Sequence, residues 1–552
     1  RMAAGCALLA ALCGRALAAA PAAAPPRLVL FVAVDQLRPD ALERGAAHFT
    51  GGFKRLREEG ALFTHAHYQH ANTETGPGHG VLLSGRHARD TGIVGNEWYD
   101  RTRGREVNVV EDPLVRALPG PGRACSPAHF VGVTVGDLLK AASPRSRVVS
   151  VALKDRAAVL MGGRRPDAAY WYEPAAGRFG SSTYYMAALP PWLVAWNAGG
   201  HVDALGGREW TRLLEDTALY EKLAGPDDVV GERTPQDRVF PHRIPGRPPQ
   251  AQFYDELRRT PFADELTLDV AVRAMDAHEL GRDEATDILA VGFSATDLIG
   301  HAYGPHSQEV MDQMLRLDRT LGRLLEAGEA RAGRGRVLVV LSADHGAMPL
   351  VETLRAQGVD ARRVRPEVLE TAVRKALAAR FPDGERLLAD FVAPDVYFDL
   401  EALRARGLRR SQVEAVVEEA MLATGLVERV YTPARILADP PAGDPDFDLF
   451  RNSFFEPRSG HVMARVKRYV RLTTAEGGSG HGTADDYDRH VPVALLGAGV
   501  RQGRFDAPCG PHDIAPTLAA LLGLEYRLDA GQRVLAEALA EGARAARAGD
   551  RP

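Results

Sequence analysis

The 552-residue chain is poor in cysteine, has little excess charge, and lacks several motifs that mark well-known enzyme classes. Its 4 cysteines are too few for a disulfide framework. Its formal net charge of -4 gives no electrostatic reason to expect a nucleic-acid partner. The sequence contains no G-x-x-x-x-G-K-S/T, H-E-x-x-H or G-x-S-x-G motif. These absences argue against a P-loop nucleotidase, a zincin peptidase and an α/β-hydrolase.

The N-terminal segment is typical of an export signal. The apolar stretch Ala3–Cys13 follows Arg1, and the small residues Ala16–Ala20 offer A-x-A cleavage sites. Arg15 interrupts the apolar stretch, whereas a spanning helix needs about 20 continuous apolar residues. The segment therefore predicts a signal peptide and short tail over residues 1–26, and a mature protein that is periplasmic or secreted without a membrane anchor. A disordered alanine-rich tail is the alternative.

The rest of the chain has the composition of an ordinary globular protein. Apolar residues make up 45% and charged residues 25%, so a large buried core can form. Cys125 and Cys509 lie in this part of the chain, and in an exported protein they could form a disulfide. The sequence leaves that pairing open, and it does not define an oligomeric state.

Short β-rich apolar runs alternate with amphipathic stretches. The predicted strands are Leu28–Val34, Arg147–Leu153, Asp287–Phe293, Val337–Ala343 and Val491–Gly497. The predicted helices include Glu265–Leu280, Ser307–Glu326 and Asp513–Leu522. Continuous apolar runs are typical of parallel strands that are buried on both faces. The pattern predicts an α/β domain over residues 27–552 with a mostly parallel central sheet flanked by helices, and two insertions, at about 162–261 and 349–478, that cap it.

Three aspartates and two histidines follow predicted strands, and one more histidine lies just before the last predicted strand. The candidates are Asp35, Asp297, His301, Asp344, His345 and His481. In open α/β sheets, chemistry gathers at the carboxyl ends of the strands, so these side chains are expected at one edge. Taken singly, each aspartate is more simply a helix cap and each histidine a satisfied polar residue.

Together these six residues predict a pair of metal ions. Carboxylate and imidazole ligands suit zinc, and structural zinc sites usually favour cysteine-rich shells instead. Six ligands are too many for one tetrahedral ion. They fit two zinc ions a few ångströms apart with positions left for a substrate oxygen, which is the arrangement for displacement at phosphorus.

Thr75 is the candidate nucleophile for such a centre. It lies in the stretch "NTETGPGHG", where a strand gives way to a helix, and Gly76 and Gly78 permit close backbone approach. A threonine hydroxyl is a poor nucleophile at its own pKa, but a bound metal can activate it. Without the metal ligands, this threonine would read as an ordinary helix cap.

These motifs resemble the alkaline phosphatase superfamily, and more closely its periplasmic bacterial branch with a threonine nucleophile. The resemblance extends from Leu28 to about Leu524. It implies that Asp297, His301 and His481 hold one zinc ion. It also implies that a second zinc ion is held by Asp35, Asp344, His345 and Thr75.

The same resemblance assigns three residues to the phosphoryl group. Asn96, in "GIVGNEWYD", falls where that branch has an asparagine that contacts a phosphoryl oxygen. Lys154 and Arg156, in "SVALKDRAAVL", fall where it has a Lys-x-Arg pair in place of a magnesium site. Glu74 and His79 have no assigned role and are candidates for supporting contacts.

The resemblance implies a zinc-dependent phosphate monoester hydrolase that forms a covalent phosphothreonine, with small phosphate monoesters as substrates. One alternative is a nucleotide pyrophosphatase or phosphodiesterase of the same superfamily, and another is a catalytically silent zinc-binding periplasmic protein. A sulfatase is not expected, because its C-x-P-x-R motif is replaced by "CSPAH" at Cys125, far from the nucleophile.

Overall fold

The structure, a computed structural model, describes residues 25–232 and 237–541. The predicted signal peptide lies almost entirely outside the described residues. In the described parts of the chain, no helix is long and apolar enough to cross a membrane.

A ten-stranded mixed sheet forms the centre of the molecule. Its strands, in chain order, are β1 (Leu28–Val34), β2 (Ala61–His67), β3 (Ala117–Leu118), β4 (Val148–Ala152), β5 (Ala168–Glu173), β6 (Arg178–Ser182), β7 (Asp287–Phe293), β8 (Val337–Ser342), β9 (His490–Gly497) and β10 (Gly503–Phe505). Their spatial order is β10-β2-β9-β8-β1-β7-β4-β5-β6-β3. The middle strands β8, β1, β7, β4 and β5 are all parallel, which confirms the predicted fold class.

Helices cover both faces of this sheet. The helices of the sheet domain include Pro39–Gly45, Gly52–Glu59, Thr75–Leu82, Val135–Ala142, Asp155–Gly162, Phe262–Ala277, Ala295–Tyr303, Gln308–Ala332 and Ile514–Leu521. Alternate residues of β1 enter different cores: Leu30 and Val32 pack in one layer, and Val29 and Phe31 in the other. Because a strand covered on both faces must be apolar at every position, the predicted strands appear as continuous apolar runs.

The strand β9 differs from its prediction in direction. It pairs antiparallel with both β8 and β2. The predicted strand Val491–Gly497 is present, but the prediction that it is parallel was wrong. An unbroken apolar run indicates burial on both faces and carries no information on strand direction.

The region 162–261 is not a separate cap. It contributes β5 and β6 to the central sheet, and its later side chains, such as Trp196, Trp210 and Tyr220, pack into the same core as β1.

The region 349–478 builds a core of its own, which we call the cap. Its helices Glu367–Arg380 and Arg410–Ala423 pack on three two-stranded sheets. These sheets pair Arg362–Val364 with Val470–Leu472, Leu388–Val392 with Asp395–Phe398, and Val427–Tyr431 with Met463–Val466.

The structure bears on the two cysteines whose pairing the sequence left open. Cys125 and Cys509 are both buried free thiols, so the described residues contain no disulfide between them.

Candidate active site

The aspartates and histidines singled out in the sequence lie at one edge of the central sheet. Asp35 follows β1 directly, and Asp344 and His345 follow β8. Asp297 and His301 lie on the helix that begins after β7. Because β1, β7 and β8 are parallel, these three segments all leave the sheet at the same end.

His481 reaches this edge because β9 is antiparallel. It lies in the glycine-rich loop that precedes His490, the first residue of β9. Since β9 runs opposite to β8, the chain enters β9 at the end where the parallel strands finish. The direction of β9, which the sequence did not predict, therefore brings His481 to the other five residues.

Asp297, His301 and His481 form a compact group, the first cluster. His301 Nε2 lies 3.2 Å from Asp297 Oδ1 and 3.3 Å from His481 Nε2. Nδ1 of His301 lies 2.9 Å from the Ser479 carbonyl, and Nδ1 of His481 lies 2.9 Å from the Thr73 carbonyl. With Nδ1 as the donor to these carbonyls, both Nε2 atoms are left as ligands facing Asp297, which is how metal-binding histidines are commonly held.

Asp35 and Asp344 form a second cluster together with His79. His79 Nε2 lies 3.4 Å from Asp35 Oδ1, and its Nδ1 lies 3.4 Å from Asp344 Oδ2. Its Nδ1 also lies 3.0 Å from the carbonyl oxygen of Thr75, one helical turn earlier. The sequence gave His79 no role, although its spacing of four residues from Thr75 placed both on one helix face.

His345 lies between the two clusters. Its Nε2 is 3.2 Å from Asp344 Oδ2 and 3.5 Å from Thr75 Oγ1. Its ring stacks on that of His481 with 3.4 Å between ring centroids. The structure thus brings the predicted ligand His345 beside Asp344 and the candidate nucleophile.

Two buried carboxylate oxygens of the second cluster have imidazole nitrogens nearby but no hydrogen bond. Among the described residues, Asp35 Oδ1 and Asp344 Oδ2 accept no hydrogen bond, although both residues are fully buried. Nitrogens of His79 and His345 lie 3.2–3.4 Å from them. A buried carboxylate is costly unless a hydrogen bond, an opposite charge or a metal ion offsets the cost. The oxygen and imidazole donors of both clusters fit zinc.

Lys154 bridges the two clusters. Its Nζ lies 2.5 Å from Asp297 Oδ2 and 2.9 Å from Asp35 Oδ2. Burial raises the pKa of Asp35, but Lys154 and His79 outweigh this effect and hold that pKa below its usual range. The side chain therefore places a cation at the centre of the candidate site.

Gln36, for which the sequence predicted no role, also links the two clusters. Its side-chain amide donates to Asp297 Oδ1 at 2.7 Å, and its backbone N–H donates to Asp344 Oδ1 at 3.0 Å. Gln36 has a positive φ of 64°, which turns the chain sharply after Asp35. Only the position directly after a strand-end aspartate could have drawn attention to it.

Asn96 is held in one orientation. Its Oδ1 accepts the backbone N–H of Gly76 at 2.8 Å, and its own backbone N–H donates to Glu74 Oε2 at 2.6 Å. The Nδ2 group of Asn96 therefore points away from Gly76, and Glu74 fixes the backbone that carries it. Arg156 lies near Glu74 and lowers its pKa, but burial is the larger effect and raises it.

Two glycines let the helix that begins at Thr75 pack closely against its neighbours. A Cβ at Gly78 would lie 2.2 Å from the carbonyl oxygen of Asp344, and a Cβ at Gly76 would lie 2.9 Å from that of Gly95. The two glycines of Gly-Pro-Gly are thus required by close packing, Gly78 against Asp344 and Gly76 against Gly95, and not by an unusual φ angle.

A parallel-centred α/β sheet with carboxylates and imidazoles grouped at its carboxyl edge defines an α/β protein with candidate metal-binding groups at the usual position for an active site. The chain belongs to the Type I phosphodiesterase / nucleotide pyrophosphatase family, part of the alkaline phosphatase superfamily, whose sequence profile matches residues 29–488. This confirms the superfamily predicted from the motifs, while the threonine nucleophile and the Lys-x-Arg pair stay predictions.

The chain is similar to several alkaline phosphatases over nearly its whole length. It is 31% identical over 515 residues to alkaline phosphatase PafA of Elizabethkingia meningoseptica, covering 91% of this chain and 92% of that protein. It is 31% identical over 511 residues to alkaline phosphatase PhoV of Synechococcus elongatus, covering 91% of each. The crystal structure of wild-type PafA superposes with a TM-score of 0.86 at 31% identity, covering 94% of this chain and 99% of that one.

Proposed function

We propose that this protein is a zinc-dependent phosphate monoester hydrolase, an alkaline phosphatase that acts through a covalent phosphothreonine. The observation that carries the proposal is the position of Thr75 Oγ1, 3.5 Å from His345 Nε2 at the edge of two carboxylate–histidine clusters. The similarity to named alkaline phosphatases over nine-tenths of the chain supports the same reaction.

Two zinc ions would be held by the residues of the clusters. Asp297, His301 and His481 would hold one ion. The other would be held by Asp35, Asp344 and His345, with His79 close to both carboxylates. Bound zinc supplies Lewis-acid stabilisation of the oxygens that gain charge at phosphorus and favours the ionised form of the threonine hydroxyl.

The chain's own groups would carry out a two-step displacement. The hydroxyl of Thr75 loses its proton to solvent, its Oγ attacks phosphorus, and the bond to the leaving oxygen breaks, which forms phosphothreonine. The departing alkoxide takes a proton from water. The leaving oxygen departs on the side of the first cluster. Water then attacks the phosphothreonine from the same side, and the P–Oγ bond breaks to release phosphate and the free hydroxyl of Thr75.

Three side chains would bind the non-bridging oxygens. The hydrogen bond from Gly76 N–H to Asn96 Oδ1 fixes the orientation of the side-chain amide, so that its Nδ2 group can donate to a phosphoryl oxygen. Lys154 and Arg156 provide positive charge, and a guanidinium can bridge two phosphate oxygens. A monoester offers more charged oxygens to this group than a diester does.

The family name keeps a phosphodiesterase or nucleotide pyrophosphatase as the second candidate, and a silent zinc-binding protein as the third. The deciding experiment loads the purified protein with zinc, measures bound metal, and compares kcat/KM for a chromogenic monoester and a matched diester. We expect a clear preference for the monoester. Faster diester hydrolysis would favour the second candidate, and bound zinc without turnover of either ester would favour the third.

We also infer export from the cell, with the mature enzyme periplasmic or secreted. The N-terminal pattern of Arg1, the apolar stretch and the small residues supports this location. N-terminal sequencing of the protein recovered from a periplasmic fraction tests it, since an intact N-terminus on cytoplasmic protein would contradict export.

A further inference from the structure

A cavity of ≈ 400 Å³ adjoins the candidate active site and is roofed by the cap. His301 and His481 of the first cluster, together with Glu74 and Asn96, form its floor. The cap side chains that line it include Val392, Pro394, Tyr397, Phe450, Met463, Val466 and Leu472. Its volume falls in the range that holds a drug-sized organic ligand, which is more than a phosphoryl group needs.

The cavity lies on one side of the metal centre. Among the described residues, those that line it include His301 and His481 but not Asp35, Asp344 or Thr75. In the proposed reaction the leaving alcohol departs on the side of the first cluster. The cavity is therefore in position to hold the organic part of the substrate.

The cap wall that is open to the cavity is mainly apolar. Val392 and Pro394 lie at the turn between the strands Leu388–Val392 and Asp395–Phe398, and Leu472 ends a strand nearby. Val392 and Leu472 are only partly buried, so each keeps apolar surface that a ligand can cover. Covering such surface stabilises a complex by roughly 25 cal/mol per Å².

The charged groups of the cavity disfavour a second anionic group on the substrate. Glu74, Glu97 and Asp395 line it. Of its two arginines, Arg465 is paired with Asp446 and Asp485. The other, Arg471, donates to the backbone carbonyl of Gly477 at 3.2 Å. An additional phosphate or carboxylate on the leaving group would thus lie among acidic side chains, while both arginines are already bound to groups of the protein.

We propose that the cavity beneath the cap is a leaving-group subsite that selects monoesters of uncharged, apolar or aromatic alcohols. The inference rests on the proposed phosphomonoesterase function and specifies its substrate class. It assigns Val392 and Leu472 of the cap as specificity-determining residues.

The test compares benzyl phosphate with ethyl phosphate on the zinc-loaded protein, because both are alkyl esters and differ mainly in apolar size. The variants are Val392→Ser and Leu472→Ser. Val368→Ser is the matched control, since Val368 lies on a cap helix, is 48% exposed and is absent from the cavity lining among the described residues. Binding of benzylphosphonate and ethylphosphonate, measured by calorimetry, gives a readout that does not depend on turnover.

We expect Val392→Ser and Leu472→Ser to lower kcat/KM for benzyl phosphate by about 5- to 10-fold, and to weaken benzylphosphonate binding similarly, because each removes apolar contact area. Ethyl phosphate should change less than twofold, and the control should change neither. Equal losses on both esters, or no loss on benzyl phosphate, would overturn the subsite. If the wild-type protein hydrolyses neither ester, the proposed function itself fails and the subsite with it.

Discussion

At the scale of single residues, Thr75 is buried in the candidate site between two histidines. Thr75 is 1% exposed and lies at the start of a helix, with its carbonyl 3.0 Å from Nδ1 of His79. Its hydroxyl has His345 as a neighbour at 3.5 Å. Burial at the start of a helix thus restricts the backbone and side chain of Thr75, and pre-positioning of this kind would reduce the entropy cost of the proposed attack.

The role of Thr75 is tested by two substitutions. Thr75→Ala should lose most monoester turnover, because it removes the attacking oxygen, while zinc binding persists through the carboxylates and imidazoles. Thr75→Ser should retain much of the activity, since the hydroxyl is preserved. Turnover and zinc content are measured on the same preparations. Near-wild-type rates in the alanine variant would instead point to direct attack by water.

Lys154 and Arg156 are expected to determine the preference for monoesters. Each alanine variant should lose about 1.5–3 kcal/mol of transition-state stabilisation on a monoester, the range for hydrogen bonds to charged groups. The loss on a diester should be much smaller, because one oxygen there carries an uncharged substituent. Values of kcat/KM for both esters give the comparison.

Metal content separates this role from a structural one. Lys154 also contacts Asp35 and Asp297, so its removal can disturb the clusters. Arg156 makes an ion pair with Asp155, 4.0 Å away, and provides the cleaner variant. Equal losses on monoester and diester by Arg156→Ala with full zinc content would refute the assignment.

At the scale of secondary-structure elements, the helix Thr75–Leu82 is enclosed on every side. All eight of its residues are buried, and it contains three glycines, which are poor helix formers. Packing explains one of them directly: a Cβ at Gly78 would lie 2.2 Å from Asp344 O and 2.8 Å from Asp344 Cβ. The helix therefore gives up intrinsic stability so that Thr75 can approach the second cluster.

A pair of matched substitutions tests this explanation. Gly78→Ala should destabilise the protein by about 1–3 kcal/mol through overpacking and should displace Asp344, which weakens zinc binding. Gly80→Ala is the control, because its Cβ would meet only the side chain of Ile93 at 3.6 Å or more. Its stability should stay equal or rise by up to about 1 kcal/mol through helix propensity.

Urea unfolding and zinc titration of the two glycine variants provide the measurements. The explanation fails if both variants behave alike, since helix propensity would then account for the result without any contact to Asp344.

At the scale of the whole molecule, the two clusters connect segments that are far apart in the chain. The first cluster joins the segment after β7 to the loop before β9, and the second joins the end of β1 to the end of β8. Ions that bind these sites only in the folded state stabilise the entire sheet domain.

Metal removal should therefore affect both activity and stability. Exhaustive chelation should abolish monoester turnover and lower Tm by roughly 5–10 °C. Zinc should restore both better than magnesium, because imidazole-containing sites disfavour a hard octahedral ion. A sample treated with the pre-formed zinc–chelator complex is the control. Full activity in protein shown by metal analysis to be empty would contradict the bimetallic centre.

The sequence by itself located the elements and the chemistry. The apolar runs of β1, β7 and β8 were found to within a residue, because a strand buried on both faces must be apolar along its length. The aspartates and histidines stood out because they directly follow those runs. Their combination with "NTETGPGHG" was specific enough to indicate the superfamily before any contact was known.

Only the tertiary structure decided which of these residues meet, and how. The antiparallel direction of β9 brings His481 to the shared edge, yet burial leaves no trace of strand direction in the sequence. Lys154 and Asp297 are in contact although 143 residues separate them. His79 lies against both carboxylates of the second cluster because of the helix packing that Gly78 permits. Such contacts depend on the order and direction of the strands in the sheet. Local sequence pattern indicates which residues are buried and which carry reactive side chains, but it does not give that order.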